Sequence, residues 1–257
     1  MTVPLRYLLK TSIVSSILAL CCLPAQNLSA ADPGSQLANE DQFSGAVLLA
    51  HDDTILLRAG YGLADREWNI PNTPTTKFRS ASITKGFTAA AILLLQDEGK
   101  LSVKALICWY VANCPNAWQR ITLDQLLTHT SGIPDYDSLP NYDTFRLHRV
   151  TLSDLIDFFR AEPLKFAPGT AWEYSNSGYV LLSQVIEKTS GESYLAFLKD
   201  HFFGPLGLNA TGVEDMTSIV PGRARGYKSP TQLADYIDMT TESSAGQIYS
   251  TVEDLYR

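Results

Sequence analysis

The chain has 257 residues, 45% hydrophobic and 18% charged, the proportions of an ordinary globular protein with room for a sizeable core. Its formal net charge of −7 argues against a nucleic acid or an anionic membrane as partner. No internal repeat, heptad run, low-complexity tract or phosphate-binding glycine loop stands out.

Arg6 and Lys10 precede an apolar run from Ile13 to Leu23 and a small-residue exit at Ser29-Ala30-Ala31. That order reads as a signal peptide over residues 1–31, cut after Ala30 or Ala31. The apolar run is too short for a comfortable membrane span. Export to the periplasm or the medium is therefore expected, with residues 32–257 as the working domain. Leu18-Ala19-Leu20-Cys21 faintly suggests a lipoprotein signal, which the bulky Leu20 before the cysteine disfavours.

Phe43 to Leu49 and Thr54 to Leu57, on either side of His51-Asp52-Asp53, predict a β-hairpin. A loop through Gly60, Gly62 and Pro71-Asn72-Thr73-Pro74 leads to Ser82-Ile83-Thr84-Lys85. Apolar residues at 83, 87, 90, 91 and 94 predict a buried helix running to Glu98 and stopped by Gly99. Ser82 then sits at or near a helix N-terminus, with Lys85 one turn on along the same face.

Of the four cysteines, Cys21 and Cys22 fall in the signal. Cys108 and Cys114, six apart in an exported chain, suit a local disulfide. A metal site lacks clustered ligands, and a catalytic thiol lacks an activating partner.

Thr122 with Gln125 forms a capping box opening a short helix, Asp124 to Leu127. A turn follows at His129-Thr130-Ser131-Gly132-Ile133-Pro134, then a Pro- and Asp-rich loop to Asp143. Thr151 with Asp154 opens a helix bearing Leu155, Ile156, Phe158 and Phe159. After the Pro168-Gly169 turn, Tyr174-Ser175-Asn176 leads into a helix beginning near Ser177 and ended by Gly191. A further helix, Tyr194 to Phe203, stops at Gly204-Pro205. Thr211 to Gln247 is loop-rich, with weak signals. Ser250-Thr251-Val252-Glu253 is a helix-opening box four residues from Arg257. With only two convincing strands, a marginal assembly by itself, the expectation is a domain truncated at its C-terminus.

A serine hydroxyl becomes a nucleophile only beside a base, and a helix N-terminus favours the negative charge that develops there. Bringing a lysine from a free pKa of about 10.4 to near 7 costs roughly 4–5 kcal/mol of differential interaction, so Lys85 needs partners. Without them, Ser82 and Lys85 are two side chains on an ordinary helix.

The partners come from a wider pattern. Phe43-Ser44-Gly45, Phe78 through Lys85, Leu126 through Pro134, Phe166-Ala167-Pro168-Gly169, Tyr174-Ser175-Asn176, Pro205-Leu206-Gly207 and Ser250 through Leu255 occur in this order. Together they resemble the serine β-lactamase and penicillin-binding superfamily, in its class C-like branch of carboxypeptidases and esterases. The resemblance implies an α/β (α+β) fold of the β-lactamase/transpeptidase type: an antiparallel sheet flanked by helices, with a helical subdomain and the C-terminal strands missing. It implies Ser82 as acylated nucleophile, Lys85 as its hydrogen-bonded partner and Tyr174 as second base. Asn176 would hold Lys85 and the substrate amide. Lysine and tyrosine both start near pKa 10, so a proton shared between them titrates as a property of the pair.

No cofactor or metal is implied. The substrate would be a small molecule or peptide: a cell-wall D-Ala-D-Ala peptide, a β-lactam or a small ester. His129, Glu173 and Asp135 are read as structural, solvated or capping groups, and Trp172 and Tyr136 as packing residues. The family's third element, a Lys-Thr-Gly or His-x-Gly strand supplying the second oxyanion donor, has no counterpart before Arg257. The rival expectation is therefore a catalytically weak or inactive exported binding protein on the same scaffold, or a gene fragment.

Overall fold

The computed structural model describes residues 43–257; the signal peptide expected over residues 1–31 lies outside them. Strand β1 (Gly45–His51) pairs antiparallel with β2 (Thr54–Tyr61), Gly45 opposite Tyr61 and His51 opposite Thr54, with a bulge at Leu49/Ala50. This is the expected hairpin, though β2 runs past Leu57 to Tyr61. Three short strands follow, β3 (Leu63–Asp65), β4 (Ile70–Pro71) and β5 (Phe78–Arg79). The helical part comprises α1 (Thr84–Asp97), α2 (Leu123–Leu127), α3 (Tyr142–Phe145), α4 (Leu152–Arg160), α5 (Asn176–Ser190) and α6 (Tyr194–Leu198). Then come β6 (Gly212–Val213), β7 (Tyr227–Ser229), β8 (Gln232–Leu233), α7 (Ser243–Gly246), β9 (Ile248–Ser250) and α8 (Val252–Tyr256).

The strands form four small antiparallel sheets, β1–β2, β3–β4, β5–β9–β6 and β7–β8. The sequence pointed to two strands, and the described residues hold nine. The other seven are two or three residues long, too short for an alternating pattern to register. The loop-rich stretch from Thr211 to Gln247 contains three of them.

Helix α5 is the hub of the core. Tyr179, Val180, Leu182, Val185 and Ile186 are buried, and the helix packs against α1, α2, α4, α6 and α7. Gly191, at φ +78, ends it in the left-handed conformation that glycine takes at no steric cost. Around it, the Phe159 ring stacks 6.0 Å from Trp118 and 6.1 Å from Tyr136, all three fully buried. The capping boxes of Thr122 with Gln125 and Thr151 with Asp154 are formed. Cys108 and Cys114 are paired, with Cα atoms 5.3 Å apart.

Three boundaries and faces differ from expectation. Helix α1 buries Thr84, Lys85, Thr88, Ala91, Ile92 and Leu95, whereas Ile83 is exposed. Counting apolar residues turned the face by about one position, because three of its buried members are polar. The helix expected from Tyr194 to Phe203 is α-helical to Leu198 and then widens into a π turn over Lys199–Phe203. The last box is shifted by one residue: Ser250 belongs to β9, and Thr251 caps α8 by accepting from the Asp254 N–H. Among the described residues no helix is long and apolar enough to cross a membrane.

Candidate active site

Two chain segments converge near Ser82. The first is β5 and the turn after it. The Ser80 N–H donates to the Ile248 carbonyl at 2.8 Å, tying this segment to β9. Ala81 has φ +45, a region that a Cβ makes costly and that is held only when the surroundings over-determine it. It starts the short 3₁₀ turn Ala81–Ile83, which carries an exposed Ser82 into α1. Thr84 Oγ1 accepts from the Ile248 N–H at 3.1 Å, fixing the start of α1 on the same strand. Lys85, in the first turn, is 7% exposed.

The second segment is the turn His129–Pro134 and the chain it holds. Gly132 has φ +79, and a Cβ there would stand 2.2 Å from the Phe166 carbonyl oxygen, so only glycine fits. Gly169 N–H donates to Thr130 O at 2.8 Å and Glu173 N–H to His129 O at 3.0 Å. His129, itself at φ +58, accepts from the Ser175 N–H through Nδ1 and stacks on the Tyr174 ring, centroids 4.6 Å apart. Burial, with Lys85 nearby, holds its pKa below the usual imidazole value.

Ser82 and the three side chains expected around it are brought together. Tyr174 Oη is 2.6 Å from Ser82 Oγ. Lys85 Nζ donates to Ser82 Oγ at 3.1 Å, to Asn176 Oδ1 at 2.6 Å and to the Ala245 carbonyl at 2.9 Å. Three acceptors match the three N–H groups of an ammonium. The same nitrogen lies 4.9 Å from the Tyr174 ring centroid and 5.5 Å from that of Tyr179, close enough for a cation–π attraction.

Behind Asn176 stands a group of carboxylates. Asp135 Oδ1 accepts from the Asn176 backbone N–H at 3.0 Å. Asp135 Oδ2 and Asp137 Oδ2 face Asn176 Nδ2 at 3.4 and 3.0 Å. Glu242 accepts from the Tyr142 hydroxyl at 3.1 Å. Burial pushes the Asp135 and Glu242 carboxyls up. Asp137 is raised to about 7 by burial of its carboxylate and by the charges of Asp135 and Glu242. Asp137 itself is exposed, in the short 3₁₀ turn Tyr136–Ser138, while its carboxylate turns inward to Asn176.

Asp135 is therefore not a solvated acid, although its bond to the first N–H of α5 is a cap. Glu173 pairs with Lys165. Tyr136 is core, its hydroxyl donating to Thr241 O at 2.7 Å, and Trp172 is largely exposed, edge-on to His129. Sequence reading did not find Asp137, Glu242, the Ala245 carbonyl or the stacking role of His129. The Asp-rich loop after Pro134 was the one available signal for Asp137; a backbone carbonyl leaves none. Among the described residues no group of three or more His, Cys, Asp or Glu side chains is arranged to hold a metal ion.

The Beta-lactamase family profile matches residues 35–257. The chain is 34% identical over 238 residues to a putative penicillin-binding protein, PbpX, of Bacillus subtilis, covering 90% of this chain and 59% of that protein. A penicillin-binding protein from Bacillus halodurans superposes with a TM-score of 0.72 at 30% identity, over 83% of this chain and 68% of that one. D-amino acid amidase from Ochrobactrum anthropi, complexed with D-phenylalanine, superposes with a TM-score of 0.71 at 27% identity, over 82% and 62%.

Proposed function

Because the chain belongs to the Beta-lactamase family of serine hydrolases, we propose that it acts by acyl transfer through Ser82 on an amide or ester. The observation that carries this reading is the meeting of Ser82 Oγ with Tyr174 Oη at 2.6 Å and Lys85 Nζ at 3.1 Å. Ser82 Oγ attacks the carbonyl carbon as its proton passes into the Tyr174–Lys85 pair. With the three N–H groups of Lys85 already on acceptors, the proton goes to Tyr174 Oη, which takes it as a phenolate whose charge the Lys85 ammonium offsets. Collapse of the tetrahedral intermediate breaks the C–N or C–O bond, and the leaving group takes the proton back from Tyr174. Water then repeats the sequence on the acyl-Ser82 ester and frees the serine. The Ser82 backbone N–H is proposed as one oxyanion donor.

The substrate class proposed is a D-Ala-D-Ala peptide, a β-lactam or a small ester, handled outside the cytoplasm after export. The names of the relatives, penicillin-binding proteins and a D-amino acid amidase, support an amide or peptide. The test is incubation with a fluorescent penicillin or a fluorophosphonate, followed by peptide mass mapping. Expected is one adduct, on Ser82, absent from Ser82→Ala. A chain that takes no label, or takes it elsewhere, refutes the reading.

A further inference from the structure

Asn176 has every polar group of its side chain engaged. Oδ1 accepts from Lys85 Nζ at 2.6 Å, and Nδ2 faces Asp137 Oδ2 at 3.0 Å and Asp135 Oδ2 at 3.4 Å. Its backbone N–H is held by Asp135 Oδ1 at 3.0 Å. Turning the carboxamide by half a revolution would set Nδ2 against the Lys85 ammonium and Oδ1 against the Asp135 carboxylate and, above about pH 7, that of Asp137 as well. Both new contacts bring like partial charges together, so the acids choose between two states that a carboxamide alone would occupy almost equally. Donors spent on Asp135 and Asp137 are also not offered to a substrate amide, the second task the resemblance gave Asn176.

From this geometry we infer that Asp135 and Asp137 are positioning residues that lock the Asn176 carboxamide with its oxygen on Lys85, thereby aiming Lys85 at Ser82. They act through Asn176 and touch neither Ser82 nor the substrate. The inference rests on the acyl-transfer reading for its kinetic consequence, but the orientation of Asn176 is a property of the resting protein. Asp137 is the better probe, because Asp135 also caps α5 and its loss would weaken the helix.

The experiment compares the 257-residue chain with its Asp137→Ala and Asp137→Asn variants. Acylation by a fluorescent penicillin is followed as a function of penicillin concentration. Asp137→Ala is expected to lower the limiting acylation rate about tenfold, the worth of one hydrogen bond to a charged group. The half-saturating concentration should stay within about twofold, since uniform binding is untouched. Asp137→Asn, which keeps an acceptor oxygen, recovers part of the loss. A limiting rate equal to the parent's overturns the proposal, and so does a loss confined to half-saturation, which would make Asp137 a substrate contact. The Asn176 side-chain amide is followed in parallel by NMR on protein labelled with 15N-asparagine. Its Nδ2 signals are expected to move in both variants, and unmoved signals overturn the proposal whether or not the chain acylates. If Asp137→Ala does not fold, the Asp137→Asn spectrum decides. A parent that takes no label on Ser82 sinks the acyl-transfer reading and leaves the orientation of Asn176 to the spectra.

Discussion

The α1–α5 junction and the β1–β2 hairpin follow opposite rules within one chain. At the junction even polar side chains are buried, Thr84, Lys85, Thr88, Asn176 and Ser177 among them, and most are hydrogen-bonded, although the Ser80 and Ser175 hydroxyls beside them find no partner among the described residues. Thr88 Oγ1 is 2.7 Å from Tyr194 Oη and donates to Ser244 O at 2.8 Å, while Ser244 Oγ donates to Tyr179 O at 2.7 Å. The hairpin buries little: Ile55 and Leu56 are more than two-fifths exposed, and of β1 only Gly45 is buried. Buried polar groups are costly unless satisfied. A fold that satisfies so many in one place holds side-chain geometry there tightly, and the hairpin carries no such obligation.

The sharpest way to break this contrast is to cut the core beneath the junction. Phe159 is fully buried between Trp118 and Tyr136, so Phe159→Ala is expected to cost about 3–5 kcal/mol of stability through lost burial and a residual cavity. Denaturant midpoints measure it. A loss below about 1 kcal/mol, the range of ordinary surface changes, would show that the helical part tolerates looseness and that rigidity at the junction has another source.

How legible each region was follows from what builds it. Helices α2, α4 and α5 were readable because Thr122, Thr151 and Gly191 mark their ends with side-chain or backbone chemistry that acts locally. Ser82 and Lys85 were singled out by their place at a helix N-terminus, and Tyr174 and Asn176 by motif resemblance; nothing in the local sequence says that residues 82 and 174 meet. The Ala245 carbonyl was invisible, since its role depends on where α7 lies and not on its side chain. Asp137 and Glu242 were missed because their importance comes from partners on other elements, Asn176 for Asp137 and the Tyr142 hydroxyl for Glu242. The buried face of α1 was misplaced because the site needs polar residues inside, against the hydrophobic rule used to find it.

A smaller perturbation acts through protons. Asp137, with Asp135, Glu242, Asn176 and Lys85 facing it, holds its proton to about pH 7 when folded, against about 3.9 for a free aspartic acid. Between those values the folded chain binds the extra proton, so unfolding releases it and stability falls as pH rises through the window. Glu214 and Asp215 are shifted the other way, and their contribution is lost only in more acidic solution. Asp137→Asn removes the first effect and leaves the second. Parent stability minus variant stability, from urea midpoints, is therefore expected to decline from pH 5 to pH 8. A difference that stays flat across that range would mean the Asp137 carboxylate is solvated and ionised, and that the junction ends short of it.

The mildest change tests the other side of the contrast. Leu56 is 44% exposed on β2, so truncation to alanine removes only part of the roughly 1.5–3 kcal/mol that full burial of a leucine is worth. Leu56→Ala is expected to cost less than about 1 kcal/mol, and penicillin acylation at Ser82 should keep the parent's rate, since Leu56 belongs to neither segment that builds the site. A loss above about 2 kcal/mol would belong to a core position. It would place Leu56 against a partner surface in solution, and the hairpin would then be as thoroughly packed as the junction, held by something outside residues 43–257.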